Sequence, residues 1–195
     1  MLSPDQGRAG VTIASVPKTT GLTYADLAAI PDDGLRRELL DGELFVSPSP
    51  LTRHQRLVSY LHLRLGGSVE THGGCEVFLA PLDVLFSESN VLEPDLFFVP
   101  DEQRDIVTRA NIQGVPALVI EVLSDHRMDR VRKREIYARF GVPEYWIVDP
   151  TADRVEIYRL GNDGYGKPEM LEAGDTLLYA GFPGLEIDIT SLFDR

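Results

Sequence analysis

The chain has 195 residues, of which 43% are hydrophobic and 26% are charged, and this composition predicts one globular domain with a sizeable core. The net charge of −12 weighs against a protein that coats nucleic acid by charge alone. The single cysteine, Cys75, excludes a disulfide framework and a cysteine-rich zinc site. No stretch approaches the roughly 18 apolar residues of a membrane span, so we expect no membrane partner, and the single cysteine makes a cytoplasmic location the simplest expectation.

The N-terminal part predicts a leader, a short helix and a hairpin. Residues 1–20 are expected to form a flexible leader, and residues 21–195 a single domain. Thr23 is a suitable N-cap for the short helix TYADLAAI. The runs RRELL and ELFVS flank Asp41-Gly42, which predicts a type I′ turn because that turn needs positive φ at both central residues.

The middle of the chain predicts a long helix followed by strands. The helix is expected to start near Ser49-Pro50 and to weaken or end at Gly66-Gly67. Its apolar stripe is formed by leucines four residues apart, namely Leu57, Leu61 and Leu65. The strands predicted after it are CEVFLA, LDVLF and PDLFFVP.

The second half predicts a strand, a helix and a further strand. ALVIEVLS is an unbroken apolar run apart from Glu121, HRMDRVRKREIYARF is a helix and EYWIVD is a buried strand, so residues 117–149 predict a βαβ crossover. RVEIYRL, PEMLEA and DTLLYA predict an antiparallel C-terminal tail. The fold class is therefore α/β (α+β mixed), with a mixed central β-sheet flanked by helices.

Glu121 is the first candidate functional residue. Strand alternation places it between Val119 and Leu123 on one apolar face, while the other face of the strand is also apolar. A buried carboxylate must be neutralised, paired or bound to metal. The structural alternatives are a strand end close to solvent and an ion pair with an arginine.

Asp95 and Lys133 are the other two. Asp95 follows Pro94 and precedes an apolar strand; the alternative is an ordinary turn aspartate. On a helical wheel Lys133 lies within the stripe that carries Ile136 and Tyr137. The alternatives for Lys133 are a lysine whose stem covers apolar surface and a helix pair with Asp129 four residues earlier.

Two acids on strands and a lysine facing them suit metal-assisted phosphodiester hydrolysis. Mg²⁺ prefers oxygen ligands and keeps several waters, so one or two carboxylates are sufficient. The metal lowers the pKa of a bound water, and the lysine stabilises charge on the transition state. The sequence therefore predicts a Mg²⁺ (or Mn²⁺) site at Asp95 and Glu121. Lys133 is expected to supply a positively charged side chain beside that site.

Three stretches of the chain resemble a known family. RRELLDGELFVSPSPLTRHQRL, EPDLFFVP and PALVIEVLSDHRMDRVRKREIYARFGVPEYWIVDP are similar to the Uma family of putative restriction endonucleases, within the PD-(D/E)XK nuclease superfamily. The C-terminal AGDTLLYAGFPGLEIDITSLF is also similar, so the resemblance spans about residues 22–193. It implies a restriction-endonuclease-like core and a metal-dependent endonuclease that acts on DNA, while the choice between DNA and RNA stays open.

The resemblance also implies roles for individual residues. Asp95 matches the PD aspartate and Glu121 the acid of the next motif. The superfamily lysine two residues later is replaced here by Leu123, and Lys133 on the following helix is expected to stand in for it. Glu38 matches an N-terminal family glutamate with a catalytic or metal-shell role.

His54 and Arg130 are weaker candidates for nucleic-acid contacts. The resemblance places His54 at the start of the first long helix, where a surface histidine is the alternative. Arg130 lies on the flank of the Lys133 stripe, in a segment, residues 125–139, that has six basic and three acidic residues. A solvated helix face is the alternative for that segment.

The sequence leaves three functions open: a nuclease, a non-catalytic nucleic-acid-binding or protein-interaction module that keeps the nuclease fold, and an ion-pair cluster without a ligand. A homodimer is a further expectation, because cleavage of both DNA strands needs two sites related by two-fold symmetry.

Overall fold

The computed structural model describes residues 20–124, 128–181 and 184–194. The predicted leader lies, apart from Thr20, outside the described residues, as do the first two residues of the helix predicted from His126. The α-helices are α1 (Tyr24–Ala28), α2 (Thr52–His72), α3 (Arg134–Phe140) and α4 (Ile189–Phe193). A 3₁₀ helix spans Asp101–Ile106 and a π-helix spans Met128–Lys133.

The strands agree with most of the sequence prediction, although the short strands β5, β7, β11 and β14 were not anticipated. In chain order they are β1 (Arg36–Leu40), β2 (Glu43–Ser47), β3 (Cys75–Leu79), β4 (Val84–Ser87), β5 (Asn90–Leu92), β6 (Leu96–Pro100), β7 (Ile112–Gln113), β8 (Leu118–Val122), β9 (Glu144–Asp149), β10 (Arg154–Gly161), β11 (Gly164–Tyr165), β12 (Glu169–Leu171), β13 (Thr176–Leu178) and β14 (Glu186–Asp188).

The described strands form two larger sheets and one hairpin. The seven-stranded sheet has the order β11-β10-β9-β8-β6-β3, with β12 also paired to β10. The five-stranded sheet has the order β2-β1-β5-β4-β7, and β13 pairs with β14. β8 and β9 pair in parallel and are connected in the sequence through α3, whereas β6 and β10 run antiparallel to their neighbours. The predicted mixed α/β architecture is confirmed.

Strand β8 is covered on both of its faces, as its unbroken apolar run predicts. Ile120 and Val122 pack in one cluster with residues of α2 and α4, whereas Val119 packs in a second cluster with α3 and the five-stranded sheet. Glu121 points to the second side, where it is 2% exposed. The fold therefore places this carboxylate between a sheet and a helix, almost fully buried.

The long helix α2 differs in extent from the sequence prediction. It begins at Thr52 and continues through Gly66-Gly67 to His72, so the prediction that the glycines end it was wrong. Leu57, Leu61 and Leu65 are buried as predicted; burial of each side chain contributes about 1.5–3 kcal/mol, which outweighs the roughly 1 kcal/mol that a helical glycine costs. None of the helices in the described ranges is long and apolar enough to cross a membrane.

The hairpin turn between β1 and β2 has the backbone that its sequence predicts. Asp41 has φ of 53° and Gly42 has φ of 74°, and the register runs from Arg36 opposite Ser47 to Leu40 opposite Glu43. A Cβ atom at Gly42 would come within 3.0 Å of the Gly21 backbone nitrogen. Gly42 is therefore required both for its left-handed conformation and for close contact with the preceding chain.

We expect Gly42→Ala to lower the free energy of unfolding by about 1–2 kcal/mol, the cost of a left-handed residue with a side chain, and by more if the Gly21 contact cannot relax. Urea denaturation followed by circular dichroism measures this change. Gly67→Ala is the matched control, because Gly67 is exposed in α2 with open space around it, and it should be neutral or stabilising. Equal effects of the two substitutions would contradict the requirement for glycine at position 42.

Candidate functional site

Asp95 and Glu121 are brought together by adjacent antiparallel strands. Leu96 of β6 pairs with Ile120 of β8, so Asp95 lies next to Glu121 one step beyond that pair. The backbone N–H of Val122 donates a 2.8 Å hydrogen bond to Asp95 Oδ2. The strand pairing thus holds the aspartate carboxylate against the strand that carries the glutamate.

Lys133 comes to these acids from the π-helix. Its ammonium lies 2.9 Å from Glu121 Oε1, 3.0 Å from Glu38 Oε1 and 3.8 Å from Asp129 Oδ1. Lys133 is 3% exposed, so its charged end does not reach along the surface to solvent. The predicted pair with Asp129 is present as well, as one of three acidic contacts to the same ammonium.

Glu38 joins the site from the five-stranded sheet. It is buried on β1, and its Oε1 atom accepts a 2.9 Å hydrogen bond from the backbone N–H of Glu93. Since Lys133 Nζ contacts both Glu38 and Glu121, one ammonium links the two sheets. The carboxyl groups that meet here, named the acidic cluster below, are those of Glu38, Glu93, Asp95, Glu121 and Asp129.

Three members of the site were not predicted from the sequence. The Arg36 guanidinium donates a 2.9 Å hydrogen bond to Asp95 Oδ1 and another to the Glu93 carbonyl oxygen. The Tyr137 hydroxyl donates a 2.8 Å hydrogen bond to Glu121 Oε1. Sequence signals were present: Arg36 is two residues before Glu38 on the same strand face, Glu93 directly precedes the Pro-Asp pair, and Tyr137 is one helical turn after Lys133.

The acidic cluster contains more carboxyl groups than cationic groups. Five carboxyl groups face the permanent cations Arg36 and Lys133. Burial raises the pKa of Glu93 to about 7, against the opposing effect of Arg36. Burial also raises the pKa of Glu121, and the charges of Asp95 and Asp129 add to that rise while Lys133 opposes it. A further cation would lower the pKa of these carboxyls and favour their ionised forms.

The pKa values of Asp95 and Lys133 shift towards their charged forms. Burial opposes ionisation of Asp95, but the hydrogen bond with His54 and the charge of Arg36 outweigh it and lower the Asp95 pKa. Burial likewise disfavours the charged ammonium of Lys133, and the carboxylates of Glu121 and Glu38 outweigh that effect and raise its pKa. Lys133 is therefore a fixed positive charge in this arrangement.

His54 and Arg130 make different contacts from those predicted. His54 Nε2 lies 3.0 Å from Asp95 Oδ2, and the residue is 7% exposed. Arg130 Nη2 lies 2.7 Å from Asp149 Oδ2 and 2.6 Å from Glu156 Oε1, so the structure does not bring its guanidinium into the acidic cluster. Nucleic-acid binding by either residue stays a prediction, while their observed contacts hold protein carboxylates in place.

The ligand atoms that the acidic cluster offers are of the chemical type that a hard divalent cation binds. All are carboxylate or carbonyl oxygens, which Mg²⁺ and Mn²⁺ prefer. Within the described ranges, no group of three or more His, Cys, Asp or Glu side chains is already arranged around a common metal position. The acids are instead arranged around Arg36 and Lys133, so cation binding requires a local exchange of contacts.

Comparison with known proteins shows a family and a fold for this chain. The Uma2 family model, described as "Putative restriction endonuclease", matches residues 23–190. The chain belongs to the Uma2 family. No curated protein is significantly similar in sequence. A crystal structure from Anabaena variabilis ATCC 29413, described as a putative nuclease belonging to DUF820, superposes with a TM-score of 0.75 at 19% identity, over 88% of this chain and 97% of that one. This likeness shows a shared fold, and family membership supports a nuclease function.

We expect Arg130→Ala to lower the free energy of unfolding by about 3 kcal/mol at neutral pH, because it leaves Asp149 and Glu156 buried without their main cation. Hydrogen bonds from Arg130 lower the pKa of both carboxyls despite the opposing effect of burial. The stabilisation is therefore present at neutral pH and is lost as pH falls through these lowered values.

Urea denaturation at pH 7 and near pH 3 measures the Arg130 effect. Arg53→Ala is the control, because Arg53 pairs with Asp153 while both side chains are about half exposed, and such pairs contribute about 0–1 kcal/mol. A loss for Arg130→Ala that is no larger than that of the control, or that does not shrink at the lower pH, would contradict the proposed stabilisation.

Proposed function

We propose that this protein is a metal-dependent endonuclease that hydrolyses phosphodiester bonds of DNA. The observation that carries the proposal is the convergence of Asp95, Glu121 and Lys133 in one buried cluster, together with Glu38. The acids come from different strands and the lysine from the following helix, so only the fold brings them together. Membership in the Uma2 family supports the same reaction class.

Asp95 and Glu121 would hold a Mg²⁺ or Mn²⁺ ion. Each carboxylate has one oxygen fixed by the protein: Oδ2 of Asp95 by His54 and the Val122 N–H, and Oε1 of Glu121 by Lys133 and Tyr137. The other oxygen of each carboxylate faces Arg36 instead. When bound, the ion polarises the phosphate and lowers the pKa of its water.

Lys133 would act as a fixed cation near the reacting phosphate. Its raised pKa keeps the ammonium protonated, so it is not suited to remove a proton from water. Its charge is held in place by Glu121 and Glu38 before substrate binds, which is the kind of preorganised electrostatics that stabilises a developing negative charge. Lys133 would therefore take the role of the superfamily lysine, whose usual position on the strand is occupied here by Leu123.

The alternative is a non-catalytic nucleic-acid-binding or interaction module with the same fold. The observation in its favour is that Arg36 and Lys133 already neutralise part of the acidic cluster, as a structural ion-pair network would. The two functions differ in one measurable property, because the alternative requires neither metal binding nor cleavage. A homodimer, a cytoplasmic location and a preference for DNA over RNA stay predictions of this proposal.

We expect Asp95→Ala to abolish binding of Mn²⁺, because it removes one of the two proposed ligands. Isothermal calorimetry with Mn²⁺ measures the loss, and circular dichroism shows whether the variant is folded. Glu135→Ala is the control, since Glu135 is an exposed acid on α3 and should leave binding unchanged. If the folded Asp95→Ala protein binds Mn²⁺ like the wild type, the proposed metal site is wrong.

We expect Lys133→Ala to retain Mn²⁺ and DNA binding and to lose about 10²-fold or more of cleavage, by analogy with loss of one preorganised donor. Plasmid nicking with Mg²⁺, Mn²⁺ or chelator measures the rate. Lys133→Arg should not fully restore it, because a planar guanidinium does not fit the position of a compact ammonium. Lys167→Ala removes an exposed lysine and serves as the control. Wild-type cleavage by Lys133→Ala would refute the catalytic role.

A further inference from the structure

The guanidinium of Arg36 is surrounded by the oxygens of the acidic cluster. Its Nη1 atom lies 2.9 Å from Asp95 Oδ1, its Nη2 atom lies 3.9 Å from Glu121 Oε2, and its Nε atom lies 3.7 Å from Glu93 Oε2. Nη2 also contacts the Glu93 carbonyl oxygen and lies 3.8 Å from Glu38 Oε1. Arg36 thus occupies the position that a central cation would have among the oxygens of Glu38, Glu93, Asp95 and Glu121.

In Asp95 and Glu121, the oxygen that faces Arg36 is the one that His54, Val122, Lys133 and Tyr137 leave available. Asp95 Oδ2 is occupied by His54 and the Val122 N–H, and Oδ1 faces Arg36. Glu121 Oε1 accepts hydrogen bonds from Lys133 and Tyr137, whereas Oε2 faces Arg36. Each carboxylate is therefore anchored through one oxygen and directs the other towards the same position, as the ligands of a cation would.

A guanidinium fits this position incompletely. Arg36 Nε and Glu93 Oε2 are both buried and have no hydrogen-bond partner in the part of the chain that the structure describes. The contacts of 3.7 Å and 3.9 Å to Glu93 and Glu121 are too long for hydrogen bonds. Buried polar atoms without partners are destabilising. A smaller cation with two charges could approach all these oxygens more closely.

The two cations of the site differ in their access to solvent. The Arg36 side chain is 24% exposed, compared with 4% for Lys133. Arg36 is the first residue of β1, directly after an exposed segment. The Arg36 guanidinium is therefore nearer to solvent than the ammonium of Lys133, which is almost fully buried.

We propose that the divalent cation binds where the Arg36 guanidinium now lies, displaces it towards solvent, and gains Glu93 as a third ligand beside Asp95 and Glu121. This inference rests on the proposed function and deepens it, because it assigns the competitor and an additional ligand of the same site. Arg36 keeps the acids assembled and partly neutralised before the cation arrives, and the cost of displacing it lowers the observed cation affinity.

The test is calorimetry with Mn²⁺ on Arg36→Gln, with no nucleic acid present. Removing a competing positive charge from among the ligands should tighten Mn²⁺ binding at least about tenfold, a modest value for unit charges a few ångströms apart. Arg37→Gln is the matched control, because the neighbouring Arg37 pairs with Asp33 instead and should leave the Mn²⁺ affinity unchanged. Glu93→Gln should weaken binding about tenfold, as loss of one ligand.

Thermal unfolding gives a second readout that does not depend on activity. Arg36→Gln should be less stable than the wild type without Mn²⁺, because the acidic cluster loses a cation, and the rise in Tm on addition of Mn²⁺ should be larger for the variant. If the variant is unfolded without Mn²⁺, refolding on its addition would support the proposal, and failure to refold would overturn it.

The outcomes separate this inference from the proposed function. If the wild type binds Mn²⁺ through Asp95 but Arg36→Gln binds it with equal or lower affinity, the displacement of Arg36 is wrong and the nuclease proposal stands. If neither protein binds Mn²⁺, both proposals fail. Unchanged affinity in Glu93→Gln would remove the third ligand and overturn that part of the assignment.

Discussion

The structure around the site depends on the burial of one carboxylate. Glu121 lies in the middle of a strand covered on both faces, at 2% exposure, and a charge in such a place must be compensated by nearby groups. Lys133 and Tyr137 contact one of its oxygens, and Arg36 faces the other. Helix α3 and the five-stranded sheet thus each contribute a group that compensates this buried carboxylate.

Much of the fold could be predicted because its signals are local. The Asp41-Gly42 turn and the covered strand β8 follow from residue types at adjacent positions. The glycines of α2 misled the prediction because helix propensity is a small effect beside leucine burial. β5 is three residues long and is defined by its pairing with β1 and β4, which a local pattern does not reveal.

The site was only partly predictable for a similar reason. Glu121 and Lys133 stand out locally, since each is a charge within an apolar pattern. Arg36 and Glu93 do not, because a charge at a strand terminus is ordinary until another sheet packs against it. The helical wheel assumed 100° per residue, but Met128–Lys133 is a π-helix, which has more residues per turn. Arg130 accordingly contacts Asp149 and Glu156 rather than the acidic cluster.

The two cationic side chains of the site, Lys133 and Arg36, differ in shape and in burial. Lys133 is compact, is held by three carboxylates and is closed off from solvent, so its charge is a permanent part of the site. Arg36 is planar, reaches the cluster from a partly exposed strand end, and leaves a buried donor and acceptor without hydrogen-bond partners among the described residues. In the proposed site, the charge of Lys133 would stay during the reaction and that of Arg36 would be exchanged for the divalent cation. Because one oxygen of Asp95 and one of Glu121 are anchored independently of Arg36, such an exchange would leave these two carboxylates in place.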